Sequence, residues 1–215
     1  MVIKDMMAGI ADEMLMQQYA QGDVQAFSQL YTRHKNSLYR YFLRQVSTPE
    51  LAEELYQEVW SKLIKASPSY QVQSKFSTWL YRIAHNELID YYRRHTSQKK
   101  VFSTNVEQIE QPSVFDNVEL EQSGQSREAF LSNKTETAAE DDIYVKQQVT
   151  QVKWCLQQLP REQKEAFLLK HESGLTVNEI ALLVGESHDS IKSRIRYGLN
   201  KLKHCVMHNM RKFYE

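Results

Sequence analysis

Between Thr176 and Lys203 the chain carries the residue types needed to read a DNA groove, at helical spacing. His188, Asp189, Lys192, Ser193, Arg196 and Tyr197 share one face of a candidate helix running from about His188 past Leu202. Such a face offers donors for base edges and cations for phosphates. Arg194, Lys201 and Lys203 add further phosphate-binding cations. Ile191, Ile195, Leu199 and Leu202 are expected to point inward. Just upstream, Thr176-Val-Asn-Glu179 reads as a capping box opening a short helix, Val177 to Val184. Gly185 can take the positive φ that a tight turn requires, and Ala181 is small enough for a close helix crossing. Ile180, Val184, Ile191 and Ile195 would fill the wedge. The layout is that of a helix-turn-helix. A hairpin used only for packing has no need of so many exposed cations together.

A second constellation interleaves aromatics with Arg: Tyr70, Phe76, Trp79, Tyr81, Arg82, Tyr91, Tyr92, Arg93 and Arg94. Aromatic faces stack on unpaired bases while Arg neutralises the backbone. The same aromatics could instead be core. Arg82, Asn86, Asp90 and Arg93 recur at intervals of four, four and three, which is one outward stripe. A third face, Glu53, Glu54, Gln57, Glu58, Ser61 and Lys62, lies opposite the apolar stripe Leu51, Ala52, Leu55, Tyr56, Val59, Trp60, Leu63, Ile64.

The elements that must position these residues are helical. Gly and Pro are scarce, at 6 and 4 of 215 residues, so breakers are few. A first helical stretch covers residues 10–46, interrupted at Gly22 with Asp23 as a cap. The next helix begins after Thr48-Pro49 and ends at Ser67-Pro68-Ser69. The third runs from about Phe76 to His95. Near the C-terminus, Val145, Val149, Val152, Leu156 and Leu159 form an apolar stripe broken by Pro160. A helix from about Arg161 to Glu172 follows, closing at Gly174 in a left-handed conformation. The fold class is all-α: two small helical domains, 10–96 and 143–208, joined by an acidic, Ser/Gln/Glu-rich linker, 97–142.

The formal charge is zero, which hides a strong asymmetry. Residues 1–100 hold 13 basic and 10 acidic side chains, 101–142 hold 2 and 10, and 143–215 hold 12 and 7. Two basic ends flank an acidic middle. Two cysteines make no disulfide framework, so reduced thiols in a cytoplasmic protein are expected. No secretory pattern or membrane span is legible. No phosphate loop, paired catalytic carboxylates or nucleophile elbow occurs, so neither an enzyme nor a cofactor is expected. His204, Cys205 and His208 share a helical face, but three such residues make weak metal ligation and no metal is expected.

Two blocks together resemble extracytoplasmic-function sigma factors. Residues 50–62 and Phe76-Ser-Thr-Trp-Leu-Tyr-Arg-Ile-Ala-His-Asn86, followed by Asp90 and Arg93-Arg94, are similar to the family's second region. Residues 159–203, from Leu-Pro-Arg-Glu-Gln through Ser-Ile-Lys-Ser-Arg-Ile-Arg, are similar to its fourth. The resemblance covers roughly 23–96 and 143–205. It implies a protein that binds core RNA polymerase through the β′ clamp and the β subunit, recognises −35 and −10 promoter elements and assists melting. By position, Glu53, Glu54, Gln57 and Glu58 would face the clamp. Tyr70, Lys75, Phe76, Trp79, Arg82, Asn86, Arg93 and Arg94 would meet the −10 region. His188, Asp189, Lys192, Ser193, Arg194, Arg196 and Tyr197 would meet the −35 element. Many such proteins are held by an anti-sigma partner; the sequence does not say whether this one is. The linker is long for the class, and His85 stands where a small or basic residue is more usual. The rival reading is a stand-alone helix-turn-helix regulator acting without polymerase.

Overall fold

The structure is a computed structural model that describes residues 9–102 and 139–211, with side chains over 9–95 and 148–209. Eight α-helices occur among the described residues: α1 Asp12–Ala20, α2 Val24–Gln45, α3 Pro49–Ala66, α4 Phe76–Phe102, α5 Ala139–Gln157, α6 Arg161–His171, α7 Val177–Val184 and α8 His188–Arg211. A 3-10 turn, Ser67–Ser69, links α3 to the loop before α4. No strand occurs among the described residues.

Local chemistry sets each boundary. Gly22, at φ 103°, breaks α1 from α2, and the Asp23 carboxylate accepts from the amides of Gln25 and Ala26. Thr48 caps α3 with Pro49 in its first turn. The start of α4 is capped from a distance: Glu13 of α1 accepts the Phe76 amide at 2.6 Å. Thr176 and Glu179 form the full reciprocal capping box of α7, which ends at Gly185 in the left-handed region, φ 72°. Ser187 then accepts the Ser190 amide and starts α8.

The first unit packs α1–α4 around Leu15, Leu30, Leu38, Phe42, Val59, Leu63, Phe76, Leu80 and Leu88. Each is fully or almost fully buried. Asp12 ties α1 to α2 by accepting from Arg33 at 2.6 Å, with His34 also at 2.6 Å. Lys62 of α3 pairs with the buried Glu87 of α4. The second unit packs α6, α7 and α8 around Leu168, Leu169, Leu175, Ile180, Leu183 and Ile191. The two units share one continuous core.

Several expectations are corrected. Helix α4 continues to Phe102 and α5 starts at Ala139, so 97–102 and 139–142 are helical rather than linker. The remainder of the expected linker, 103–138, lies outside the described residues, as does the side chain of Val145. In α5 the buried residues are Cys155 and Leu156, with Leu159 buried just beyond its end, while Val149 and Val152 are exposed. Leu199 and Ile64, assigned inward by spacing, are also exposed. The apolar periods were right in step, but the packed arc is narrower than the stripe. The cysteines are not free: Cys155 and Cys205 are disulfide-bonded, joining α5 to α8 with Cα atoms 5.8 Å apart. Fifty residues separate them, and only the packing of α5 on α8 makes them neighbours. Cys205 therefore has no thiolate to offer a metal beside His204 and His208.

Candidate nucleic-acid interface

The first surface is a cleft of about 460 Å³ between the loop after α3, the start of α4, and Glu179 and Leu182 of α7. Tyr70, Gln71, Gln73, Ser74, Lys75, Thr78, Trp79 and Arg82 line it, with Ala66 and Ser69 at one end. The Glu13 cap fixes the first turn of α4, so the cleft-lining positions Lys75, Thr78, Trp79 and Arg82 project together. Tyr70 and Trp79 pack with ring centroids 4.9 Å apart. The Tyr70 hydroxyl and Thr78 Oγ1 are buried and have no hydrogen-bond partner among the described residues. Burial, reinforced by the nearby Glu13 and Asp12 carboxylates, pushes Tyr70 up to about 12. It therefore keeps its proton as a donor at neutral pH. Tyr70 and Thr78 thus carry hydroxyls with unused hydrogen-bonding capacity beside an aromatic pair.

The expected residues separate here. Lys75, Arg82, Asn86, Arg93 and Arg94 are exposed, and Trp79 and Tyr70 are half-buried. Arg93 lies 3.0 Å from Asp90 one turn back. Phe76 is different: it is fully buried and packs on His34, ring centroids 5.1 Å apart. It supports the cleft from beneath and is not on its surface. Tyr81 is likewise core. Thr78 was missed by sequence reading. Its hydroxyl stands out in the structure only by being buried without a partner; no spacing signal marks it.

The second surface is the outer face of α8. His188, Asp189, Lys192, Arg196 and Tyr197 are exposed, and Ser193 is half-buried. Arg196 lies over the Tyr197 ring at 5.1 Å, so the two act as one cationic, planar unit. Arg194 differs from its neighbours. It bridges Glu186 at 2.7 Å and Glu162 at 3.2 Å and is mostly covered. Its first task is to hold the turn and α6 against α8. Gly198 sits where α8 crosses α6, because an added Cβ would meet the Gln163 carbonyl at 3.3 Å.

The third surface is the polar face of α3. Glu54, Gln57 and Glu58 are exposed and Glu53 is half-buried, accepting from Gln57 at 2.9 Å. None of the three surfaces holds a group of side chains arranged as metal ligands among the described residues. No helix among the described residues is long and apolar enough to cross a membrane.

A helical unit with an aromatic, basic cleft, tied to a helix-turn-helix unit with a basic outer face, is the frame of a DNA-engaging transcription protein. Comparison with known proteins narrows the class. The model for Sigma-70 region 2 matches residues 30–98, and that for Sigma-70, region 4 matches 151–202, together more than half of the chain. The chain is 25% identical over 195 residues to the ECF RNA polymerase sigma factor SigK of Mycobacterium sp. (strain KMS), covering 90% of each. It is 26% identical over 187 residues to the ECF RNA polymerase sigma-E factor of Escherichia coli (strain K12), covering 86% of this chain and 89% of that one. Two solved structures share the fold, each at TM-score 0.60 and 20% identity. One is CnrH in complex with the cytosolic domain of CnrY, with 91% of this chain and 96% of that chain covered. The other is the sigma factor RpoE in complex with the anti-sigma factor NepR from Bartonella quintana, with 86% and 98% covered. The chain belongs to the sigma-70 family, in its extracytoplasmic-function branch, and is an RNA polymerase sigma factor. Members of that family are in general not enzymes.

Proposed function

We propose that the chain brings core polymerase to promoters by gripping two separated stretches of DNA, one in each unit. In this reading the outer face of α8 takes duplex DNA in the major groove at the −35 element. Lys192, Arg196 and Tyr197 face base edges, with His188, Asp189 and Ser193 alongside. The cleft takes a base of the opened non-template strand at the −10 element. Trp79 and Tyr70 supply the stacking wall, and the Tyr70 and Thr78 hydroxyls supply hydrogen bonds. Lys75, Arg82, Asn86, Arg93 and Arg94 track the backbone. Capturing an unpaired base shifts the melting equilibrium without any bond chemistry. Glu53, Glu54, Gln57 and Glu58 on α3 meet a basic surface of the polymerase clamp.

The observation that carries this reading is the pair of buried, unpartnered hydroxyls beside the Tyr70–Trp79 pair, in a chain whose second unit presents the basic face of α8. A stand-alone regulator would have no use for a single-strand cleft. One solved structure that shares the fold is CnrH in complex with the cytosolic domain of CnrY, and another is RpoE in complex with the anti-sigma factor NepR. We extend that role to this chain as an expected class of partner. The direct test is co-elution with core RNA polymerase and competition against another sigma factor for core. Binding that is displaced by that competitor supports the proposal; no association with core in the absence of inhibitors removes it.

A further inference from the structure

We propose that Cys155–Cys205 is a thiol-exchange site: a dithiol reductant enters at Cys205, opens the bond and loosens the second unit, so that duplex reading by α8 follows redox state. The link to duplex DNA rests on the reading of α8 given above; the exchange chemistry does not.

The bond stands where it can matter. A protein that serves RNA polymerase works beside DNA, where thiol pools keep most cysteines reduced. A disulfide there is usually transient or redox-sensing. Fifty residues separate the two cysteines, and that span holds all of α6 and α7 and the recognition half of α8. The bond therefore closes a loop around the whole helix-turn-helix. Closing a loop of this length restricts the unfolded chain enough to move a folding equilibrium about a thousandfold. The enclosed core is small, so the unit has little else to replace that constraint.

Helix α5 depends on the bond most. Cys155 and Leu156 are buried, while Val149, Val152 and Trp154 on the same helix are exposed. One of its buried residues is thus the disulfide sulfur itself. Gln157 adds two polar ties, donating to the Arg44 carbonyl at 3.3 Å and accepting from Lys164 at 3.0 Å. With the bond open, Leu156 and these hydrogen bonds remain to hold α5 against α8.

The geometry also sets the direction of attack. Cys155 is fully buried, whereas Cys205 is half-buried. An incoming thiolate can reach the Cys205 sulfur and not its partner. From Ser190 to Arg211, α8 carries no Asp or Glu. Lys201 and His208 lie one turn to either side of Cys205 and are exposed. An anionic thiolate therefore approaches a basic helix face. Asn209 Nδ2 lies 3.6 Å from Cys155 Sγ and 3.8 Å from Cys205 Sγ, so a donor stands beside the sulfur that departs.

The step balances as ordinary exchange. A thiolate of the reductant attacks Cys205 Sγ and forms a mixed disulfide there. The Cys155–Cys205 bond breaks, and Cys155 Sγ leaves with the electron pair as a thiolate. The reductant's second thiolate displaces Cys205 Sγ and closes the reductant's own disulfide. Two electrons pass from dithiol to protein, and its two protons end on the cysteine thiols.

The test uses the full chain, oxidised or treated with dithiothreitol, beside Cys155→Ala, Cys205→Ala and the double alanine variant. Free thiols are counted without denaturant, hydrogen exchange follows α5 and α8, and a fluorescent pool of random-sequence duplex DNA is titrated. The proposal predicts no free thiols before treatment and two after it. Reduction should speed exchange in α5 and in α8 beyond Gly198 and weaken duplex binding about tenfold, as the competent fraction falls. The double variant should match the reduced chain and ignore dithiothreitol. An aromatic disulfide probe should label Cys155→Ala, which keeps Cys205, at least tenfold faster than Cys205→Ala. The proposal is overturned if the folded chain resists the dithiol, if the two single variants react at equal rates, or if reduction leaves exchange or duplex binding unchanged. Should the cysteine variants not fold, the two redox forms of the wild-type chain decide. Duplex binding absent from both forms would count against α8 as the DNA reader, while thiol counts and hydrogen exchange still decide the exchange site.

Discussion

At the scale of residues, the chemistry of both DNA surfaces depends on a few side chains held by others that never touch DNA. Arg196 is exposed on α8, unlike Arg194, and is stacked on Tyr197. Replacing it by Ala should weaken duplex binding by about 1–3 kcal/mol and relax sequence choice at one position. Titration against a panel of single-base variants measures this; an equal loss on every sequence would mean phosphate contact only. Glu13 acts at a distance. Its carboxylate accepts the first amide of α4, where the exposed NH groups and helix dipole favour negative charge. Glu13→Ala should cost about 1–2 kcal/mol in urea unfolding and weaken single-strand binding with it. Glu179 shows the same economy. Burial pushes its carboxyl up, but hydrogen bonds from Thr176 and Lys75 outweigh that and hold it down to about 2. It remains a carboxylate across the whole working pH range.

At the scale of elements, the helices were mostly legible because breakers and caps were few and well placed. Asp23, Thr48-Pro49, Thr176/Glu179 and Gly185 each act as the residue types suggested. What periodicity could not set was the width of each buried arc. Val149, Val152 and Leu199 repeat at helical spacing yet lie outside the packed arc, because only tertiary docking decides which part of a stripe is covered. The same blindness hid Thr78's unpartnered hydroxyl and the Cys155–Cys205 bond. Each depends on a neighbour distant in sequence. On α3, the polar face is a clean prediction: Glu54→Arg should lower affinity for core polymerase about tenfold or more while leaving the affinity for duplex DNA unchanged. Surface-immobilised core measures the first and anisotropy the second. Unaltered core affinity would remove α3 from the polymerase interface.

At the scale of the whole molecule, the two units are not simply tethered; they share a core and a set of charged contacts, Glu172 with Arg40 and Arg44 and Glu165 with His85. No sequence pattern announced this, because Lys164, Glu165 and Glu172 read as ordinary polar positions of a helix and its end. The burial of Lys164 gives the packing of the two units a pH signature. Lys164 of α6 faces the Gln45 carbonyl of α2 and Gln157 of α5, with Arg161 on its own helix. Burial, helped by the Arg161 charge, pushes its ammonium down from 10.5 to about 8. A lysine lowered on packing favours the packed state when neutral. That packing should therefore strengthen as pH rises from about 8 towards 10.5, with no contribution to the slope below 8. Scattering from wild type and Lys164→Met across that range should show a slope in the first that is absent in the second. Identical profiles would mean that Lys164 does not report the packing of the units.

The central claim is that this one chain lets polymerase find and open a promoter. The direct measurement is transcription in vitro with purified core polymerase, the full chain and a library of genomic templates. Transcripts starting at defined positions, downstream of a shared pair of sequence elements, and lost with Arg196→Ala or Trp79→Ala, are the predicted result. Core enzyme that gives no chain-dependent start sites would contradict the account.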